Sequence, residues 1–375
     1  MKIAFLPDYY FPHVGGMEVW THQVARHMSK LGHKVTIFTY KTSARGRDER
    51  DEGVTVKRVG PLIIDAPHSY FKRAISLGAG LTRHLLEERF DAYLATYSPL
   101  LVCETLNRKP LYSIWHGYYG LEYSLESKGI LKGLVRTILE DSALHQGVEG
   151  VITVSRYLRN QLLRLNPKLD EERVYVVPGG VDVEFIDSVS FSGKKMQICF
   201  LGRMIYEKNP MDALEAFVAV SEDIPELEMV FAGDGPLKPT LEKTVETKYE
   251  HVSSRVKFLG GVYGEKKIRL LKESLLLVMP SRVETWPLTP LEALTCKTAF
   301  ISYDTPAFRE IIEETRAGIL VNRGDVIGLG EEIVKLILNE KKTKEMAERG
   351  RKTITKKFTW LRAAESLNRI LIKSS

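Results

Sequence analysis

Short β-branched or apolar runs alternate with longer stretches of helical period along this 375-residue chain, a rhythm that restricts it to parallel βα units. The first series predicts strands at Lys2–Leu6, Lys34–Tyr40, Val54–Val59, Ala92–Thr96, Leu111–Trp115, Val151–Val154 and Val174–Val177. Helices fill the gaps. The clearest covers Met17–Leu31, with Val24, His27, Met28 and Leu31 on one face and Gly32 as its stop. A polar stretch, Ser188–Lys195, contains Gly193 and reads as a linker. The pattern then restarts with strands Ile198–Leu201, Met229–Ala232, Val256–Leu259, Leu275–Met279, Ala299–Ser302 and Ile319–Val321, separated by helical segments such as Met211–Ser221 and Gly328–Leu338. Thirteen strands and a mid-chain linker do not suit a single eight-stranded barrel, so the expected fold class is α/β with two doubly wound, Rossmann-like sheets. A length of about 150 residues per domain gives the same count. Such sheets bind ligands outside the carboxyl ends of their strands, so two that face each other are expected to hold a ligand in the cleft between them.

Composition narrows the function by exclusion. Lys and Arg number 54 against 48 Asp and Glu, and the net +6 is spread over both halves, a poor footprint for a nucleic-acid binder. The three cysteines, Cys103, Cys199 and Cys296, are isolated in apolar stretches, which suggests buried free thiols in a reducing compartment and no zinc site. The N-terminal run Met1–Asp8 turns polar too soon for a secretion signal, and no apolar run reaches the ~18 residues of a spanning helix. The expectation is a cytoplasmic protein with, at most, peripheral contact at the inner face of a membrane. Ser69–Glu88 reads as a core-facing helix, with a peripheral membrane helix as the alternative. The last forty residues are helical and basic, carrying Lys341, Lys342, Lys344, Arg349, Arg351, Lys352, Lys356 and Lys357, the pattern of a solvated face.

Three places carry chemistry. Pro280 to Ala293 leaves a buried strand and enters a helix whose start is marked by Pro287 and Pro290. The N–H groups of Leu288 and Thr289 lack intrahelical partners and suit a phosphate, Glu292 can accept from neutral hydroxyls, and Glu284 lies in the preceding loop. After the strand Ile198–Leu201, Arg203 and Lys208 share a loop and can hold a diphosphate, the bland reading being an ion pair with Glu207. Gly15 and Gly16 precede Glu18 at a helix start, where backbone can approach an anion. His116, followed by Gly117, sits just past a strand, and Ser155 reads as an N-cap. Gly233-Asp234-Gly235 starts like a dinucleotide fingerprint, but Lys238 stands where the third glycine belongs, so a tight loop is the better reading. No Asp-x-Asp occurs that would chelate a metal.

Together these pieces resemble glycosyltransferase family 4, the retaining group with the GT-B fold. The resemblance rests on Gly15-Gly16-Met17-Glu18, His116-Gly117, Thr153-Val154-Ser155, Pro178-Gly179-Gly180-Val181-Asp182, Gly202-Arg203 with Lys208, Gly233-Asp234-Gly235-Pro236, and Glu284 to Glu292. It implies that Arg203 and Lys208 grip the donor diphosphate, helped by the backbone of Gly16, Leu288 and Thr289. Glu292 would bind the ribose, Glu284 the donor sugar, His116 would lie near the anomeric carbon, and the base would rest around Phe258–Val262. Catalytic roles thus fall to Glu284 and His116, and Gly15, Glu18 and Ser155 are acceptor-side candidates. The implied reaction moves a hexosyl group from a UDP-, GDP- or ADP-sugar to a glycan, lipid-linked or small-molecule acceptor, with no cofactor and no metal. A nucleotide-sugar epimerase of the same fold and a non-catalytic sugar-nucleotide-binding protein are the alternatives. Thr285-Trp286-Pro287 replaces the family's small-aromatic-Gly run, Gly179 a common Asn, and Lys297 a usual Gly. The implied domains are an acceptor-side domain 1–187, a donor-binding domain 188–357, and a terminal helix, 358–375, that crosses back to the first. Acceptor contacts are expected from Tyr9–His13, Thr39–Arg50, Pro67–Arg73 and Tyr118–Ser127.

Overall fold

Eight strands form the first sheet: β1 (Lys2–Leu6), β2 (Lys34–Thr42), β3 (Glu49–Asp51), β4 (Val54–Ile63), β5 (Ala92–Ala95), β6 (Leu111–Trp115), β7 (Gly150–Thr153) and β8 (Val174–Val176). The computed structural model describes residues 1–12, 14–42, 48–63, 70–117 and 147–373. Strand order is β3-β4-β2-β1-β5-β6-β7-β8, parallel apart from the β3–β4 hairpin. Helices cover both faces, which is why Ile3, Ala4, Phe5 and Leu6 are all fully buried rather than alternating. Strand β3 has no apolar residue and escapes a pattern search. It forms because Glu52 and Gly53 both take positive φ, 45° and 85°, and turn the chain back tightly onto β4.

The second sheet contains β9 (Gln197–Leu201), β10 (Glu228–Ala232), β11 (Val256–Phe258), β12 (Leu276–Met279), β13 (Ala299–Tyr303) and β14 (Ile319–Val321). Its order is β11-β10-β9-β12-β13-β14, all parallel. The chain winds outward from β9 to β11 and resumes at β12 on the other side of β9. That makes the β9–β12 junction the point where connections diverge and leave a crevice at the carboxyl ends.

Two compact units result, Met1–Gly179 with Trp360–Ser375, and Gly180–Thr359. The second unit therefore begins eight residues before the Ser188 expected from composition. Its hydrogen bonds explain the position: Val181 N–H donates to Phe358 O at 3.0 Å, Asp182 caps the helix Val183–Ser188 through Phe185 N–H at 3.0 Å, and Arg351 grips both oxygens of Asp187 at 2.8 Å. The polar stretch after Ser188 stays with this unit, tied by Lys272 Nζ to Val189 O at 2.6 Å. In the first unit the final helix, Trp360–Lys373, buries Trp360, Ala363, Ala364, Leu367, Ile370 and Leu371 and packs on the helix Gly16–Lys30.

The helix Tyr70–Glu87 turns Leu77, Leu81 and Leu85 into the core against β4 and the helix Tyr97–Thr105, the core-facing alternative. Within the basic helix Glu340–Lys357, Arg349, Arg351 and Lys357 are spent on Arg316 O, Thr295 O with Asp187, and Glu314. Among the described residues no helix is long and apolar enough to cross a membrane. The three cysteines are free and buried, and burial pushes the Cys103 thiol up to about 12.

Candidate functional site

The carboxyl ends of β9 and β12 bring two distant loops together. Arg282 N–H donates to Glu207 O at 2.8 Å, and Arg282 Nη2 donates to Asn209 Oδ1 at 3.3 Å. The same guanidinium lies 4.6 Å from the centre of the Tyr206 ring. With the loops pinned, Lys208 Nζ stands 2.5 Å from Glu284 Oε1, the carboxylate side chain being only 7% exposed. Arg203 is exposed and has no ion-pair partner among the described residues, so the bland reading, an ion pair with Glu207, does not hold for it and its charge faces solvent.

The loop bearing Arg203 is buttressed from β10. Gly233 has φ of 140°, and a Cβ there would fall 1.9 Å from Gly202 O; at Gly235, φ 156°, it would fall 2.4 Å from Met204 O. These glycines exist to let one backbone press on the next, with Met204 N–H donating to Asp234 O at 2.9 Å. That is the tight-loop reading of Gly233-Asp234-Gly235.

Beyond Glu284 the chain passes Trp286, 8% exposed and 5.3 Å from the Phe358 ring, and enters the helix Leu288–Thr295. Pro287 is the N-cap and supplies no side-chain cap. Pro290 has no N–H, so Leu288 and Thr289 carry the only amides of the first three helical positions, and neither has an intrahelical acceptor. One turn in, Glu292 Oε1 is 2.5 Å from Lys267 Nζ, on the helix Gly264–Glu273. Nearby, burial and the Asp212 carboxylate, which accepts from Tyr303 Oη at 2.6 Å, hold the Tyr303 phenol far above its ordinary range.

In the first unit Gly15 and Gly16 differ in what demands them. A Cβ on Gly15 would fall 2.6 Å from Glu18 Oε2, because that carboxylate, 3% exposed, folds back over the helix start. A Cβ on Gly16 would meet nothing within 4 Å. His116 follows β6, its ring edge-on to Trp20 at 5.1 Å, and burial pushes its pKa down to about 3. Ser155 is fully buried and spends its hydroxyl on capping, accepting from Leu158 N–H at 3.1 Å, which removes it from acceptor contact. Glu18 is similarly enclosed, with its carboxylate lying against Gly15.

Of the expected acceptor segments, Tyr9–Pro12 is tied down by Tyr10 Oη on His22 Nδ1 at 2.9 Å and by Arg58 Nη2 donating to Phe11 O at 3.0 Å. Thr39–Thr42 lies in β2. His13, residues 43–47, Pro67–Ser69 and Tyr118–Ser127 lie outside the described residues. Two residues of the site carry no local sequence signal: Arg282 shares the Pro280–Ala293 stretch with both glutamates and is marked by no motif, and Lys267 belongs to a helix whose pairing with Glu292 leaves no trace in sequence spacing.

Two family models match the chain: Glycosyltransferase Family 4 over residues 14–185 and Glycosyl transferases group 1 over residues 182–353. An alpha-monoglucosyldiacylglycerol synthase of Streptococcus pneumoniae is 24% identical over 85% of this chain and 75% of its own. An N-acetyl-alpha-D-glucosaminyl L-malate synthase of Bacillus anthracis is 24% identical over 93% of this chain and 91% of its own. Among solved structures, a sucrose-phosphate synthase from Thermosynechococcus elongatus superposes with a TM-score of 0.83 at 18% identity, covering 100% of both chains. The Anabaena protein HepE, in complex with UDP-glucose, gives 0.74 at 17% identity, again over 100% of both.

Proposed function

The chain belongs to glycosyltransferase family 4, and from that premise we propose that this enzyme draws a hexosyl group from a nucleoside diphosphate sugar and transfers it with retention of configuration. The observation that carries the reading is the Lys208–Glu284 contact, which joins the loops leaving β9 and β12; Arg203 lies on the first of those loops, and the second leads into the helix that starts at Leu288 and Thr289. HepE, of the same fold, is solved with UDP-glucose, which supports a nucleotide-sugar donor here.

Arg203 and Lys208 hold the diphosphate, and the free amides of Leu288 and Thr289 accept one of its phosphates at a helix start that bears about half a positive charge. Lys208 need not leave Glu284 to do so. An ammonium has three donors and a carboxylate about four lone-pair sites, so the 2.5 Å contact fixes both groups and leaves capacity for phosphate oxygens and sugar hydroxyls. As the glycosidic bond breaks, negative charge grows on the departing diphosphate, and fixed cations and amides stabilise it without reorganising. The donor phosphate takes the acceptor proton, so no enzymatic nucleophile or metal enters the step. Glu292 accepts from the ribose hydroxyls. Gly16 opens its own helix, and the space above its Cα leaves that backbone accessible to an anion. His116 is held as a neutral ring, its charge being disfavoured by burial.

A panel of UDP-, GDP- and ADP-sugars tests the reading. Nucleoside diphosphate release that depends on an added sugar or lipid-linked acceptor is the expected result. Conversion of the donor sugar with no acceptor present would identify an epimerase instead, and binding without turnover a non-catalytic module.

A further inference from the structure

We propose that Lys267 is a positioning residue that orients Glu292 for the two vicinal hydroxyls of the donor ribose; the proposal rests on the ribose role given to Glu292 above. Glu292 has no basic neighbour three or four residues away on its own helix, where Leu288, Thr289, Thr295 and Cys296 occupy those places. A glutamate so placed samples several rotamers, and ordering it on binding would cost affinity. Lys267 removes that freedom. Its Nζ is 2.5 Å from Oε1, both side chains are largely enclosed at 26% and 17% exposure, and it reaches in from a separate helix packed on the one that carries Glu292. With Oε1 held, one lone pair on that oxygen and both on Oε2 remain, enough to accept from two adjacent hydroxyls.

The helix bearing Lys267 starts at Gly264, directly after the Phe258–Val262 segment expected to receive the base. One rigid element thus links the base contact to the carboxylate that reads the sugar. Lys267 acts through Glu292 and is not itself a donor contact.

Calorimetric titration of the intact enzyme with the tightest-binding of UDP, GDP and ADP, and with its 2′-deoxy and 3′-deoxy forms, tests the proposal. Wild type is expected to prefer the ribo form by about tenfold or more, the value of a hydrogen bond to a charged acceptor. Lys267→Met is expected to bring that preference to within about twofold, and Lys267→Arg to restore most of it. A merely structural lysine would lower the melting temperature of Lys267→Met and leave the ribo-to-deoxy preference unchanged, which would overturn the proposal. Glu292→Ala separates the two levels: loss of the preference in Glu292→Ala but not in Lys267→Met overturns the role of Lys267 alone. No preference in wild type overturns the ribose assignment itself.

Discussion

Lys208 Nζ stands 2.5 Å from Glu284 Oε1 across 76 residues of sequence, and this contact joins the two loops that the sheet topology delivers to one place. It has an energetic and a chemical side. The glutamate is nearly buried, so its charge depends on the lysine for compensation.

Lys208→Ala and Glu284→Ala are each expected to lower kcat/KM about a hundredfold, the scale of losing one preorganised electrostatic contact. Because the groups act as a pair, the double variant is expected to be little worse than the poorer single one. Steady-state kinetics of the three variants decide this; losses that multiply would contradict a coupled pair.

The two glycines at the first helix start predict opposite phenotypes. Gly15→Ala drives a methyl into the enclosed Glu18 carboxylate and is expected to cost about 1–2 kcal/mol, read as a lower melting temperature. Gly16→Ala meets open space, so stability is expected to hold or rise by up to about 1 kcal/mol while donor affinity falls. Unchanged nucleotide affinity in Gly16→Ala would remove its phosphate role.

His116 gives a pH prediction with a definite sign. Its native pKa of about 3 lies below the ordinary 6.5, so on acidification the unfolded chain takes up a proton that the native state refuses. The contribution is complete above pH 6.5 and is lost as pH falls toward 3, amounting to about 2 kcal/mol between pH 6.5 and 5. Urea denaturation at pH 7 and pH 5 is expected to show a smaller loss of stability in His116→Asn than in wild type; equal losses would count against a ring held neutral in the native state.

Most of this was legible in the chain because βα rhythm and strand-end loops are local signals. Strands β9 to β14 fall within a residue or so of their expected places, and Arg203, Lys208 and Glu284 were named from the loops that follow them. What escaped was nonlocal or apolar-poor. Strand β3, Glu-Arg-Asp, exists by courtesy of a turn. Lys267 meets Glu292 only because two helices pack. The start of the second unit was misplaced because Pro178-Gly179-Gly180, rather than the polar stretch after Ser188, precedes the residues that bond to Phe358.

Chelation gives a fourth test. With Arg203, Lys208 and two helix amides assigned to the diphosphate, turnover is expected to survive excess EDTA within about twofold. A collapse reversed by added Mg²⁺ or Mn²⁺ would show that a cation shares that charge.

If the β9–β12 crevice receives the donor diphosphate, calorimetric titration with UDP, GDP and ADP will show one-site binding of at least one of them to wild type and an affinity loss of about a hundredfold or more in the Arg203→Ala, Lys208→Ala double variant. Equal affinity in both proteins would place the diphosphate elsewhere.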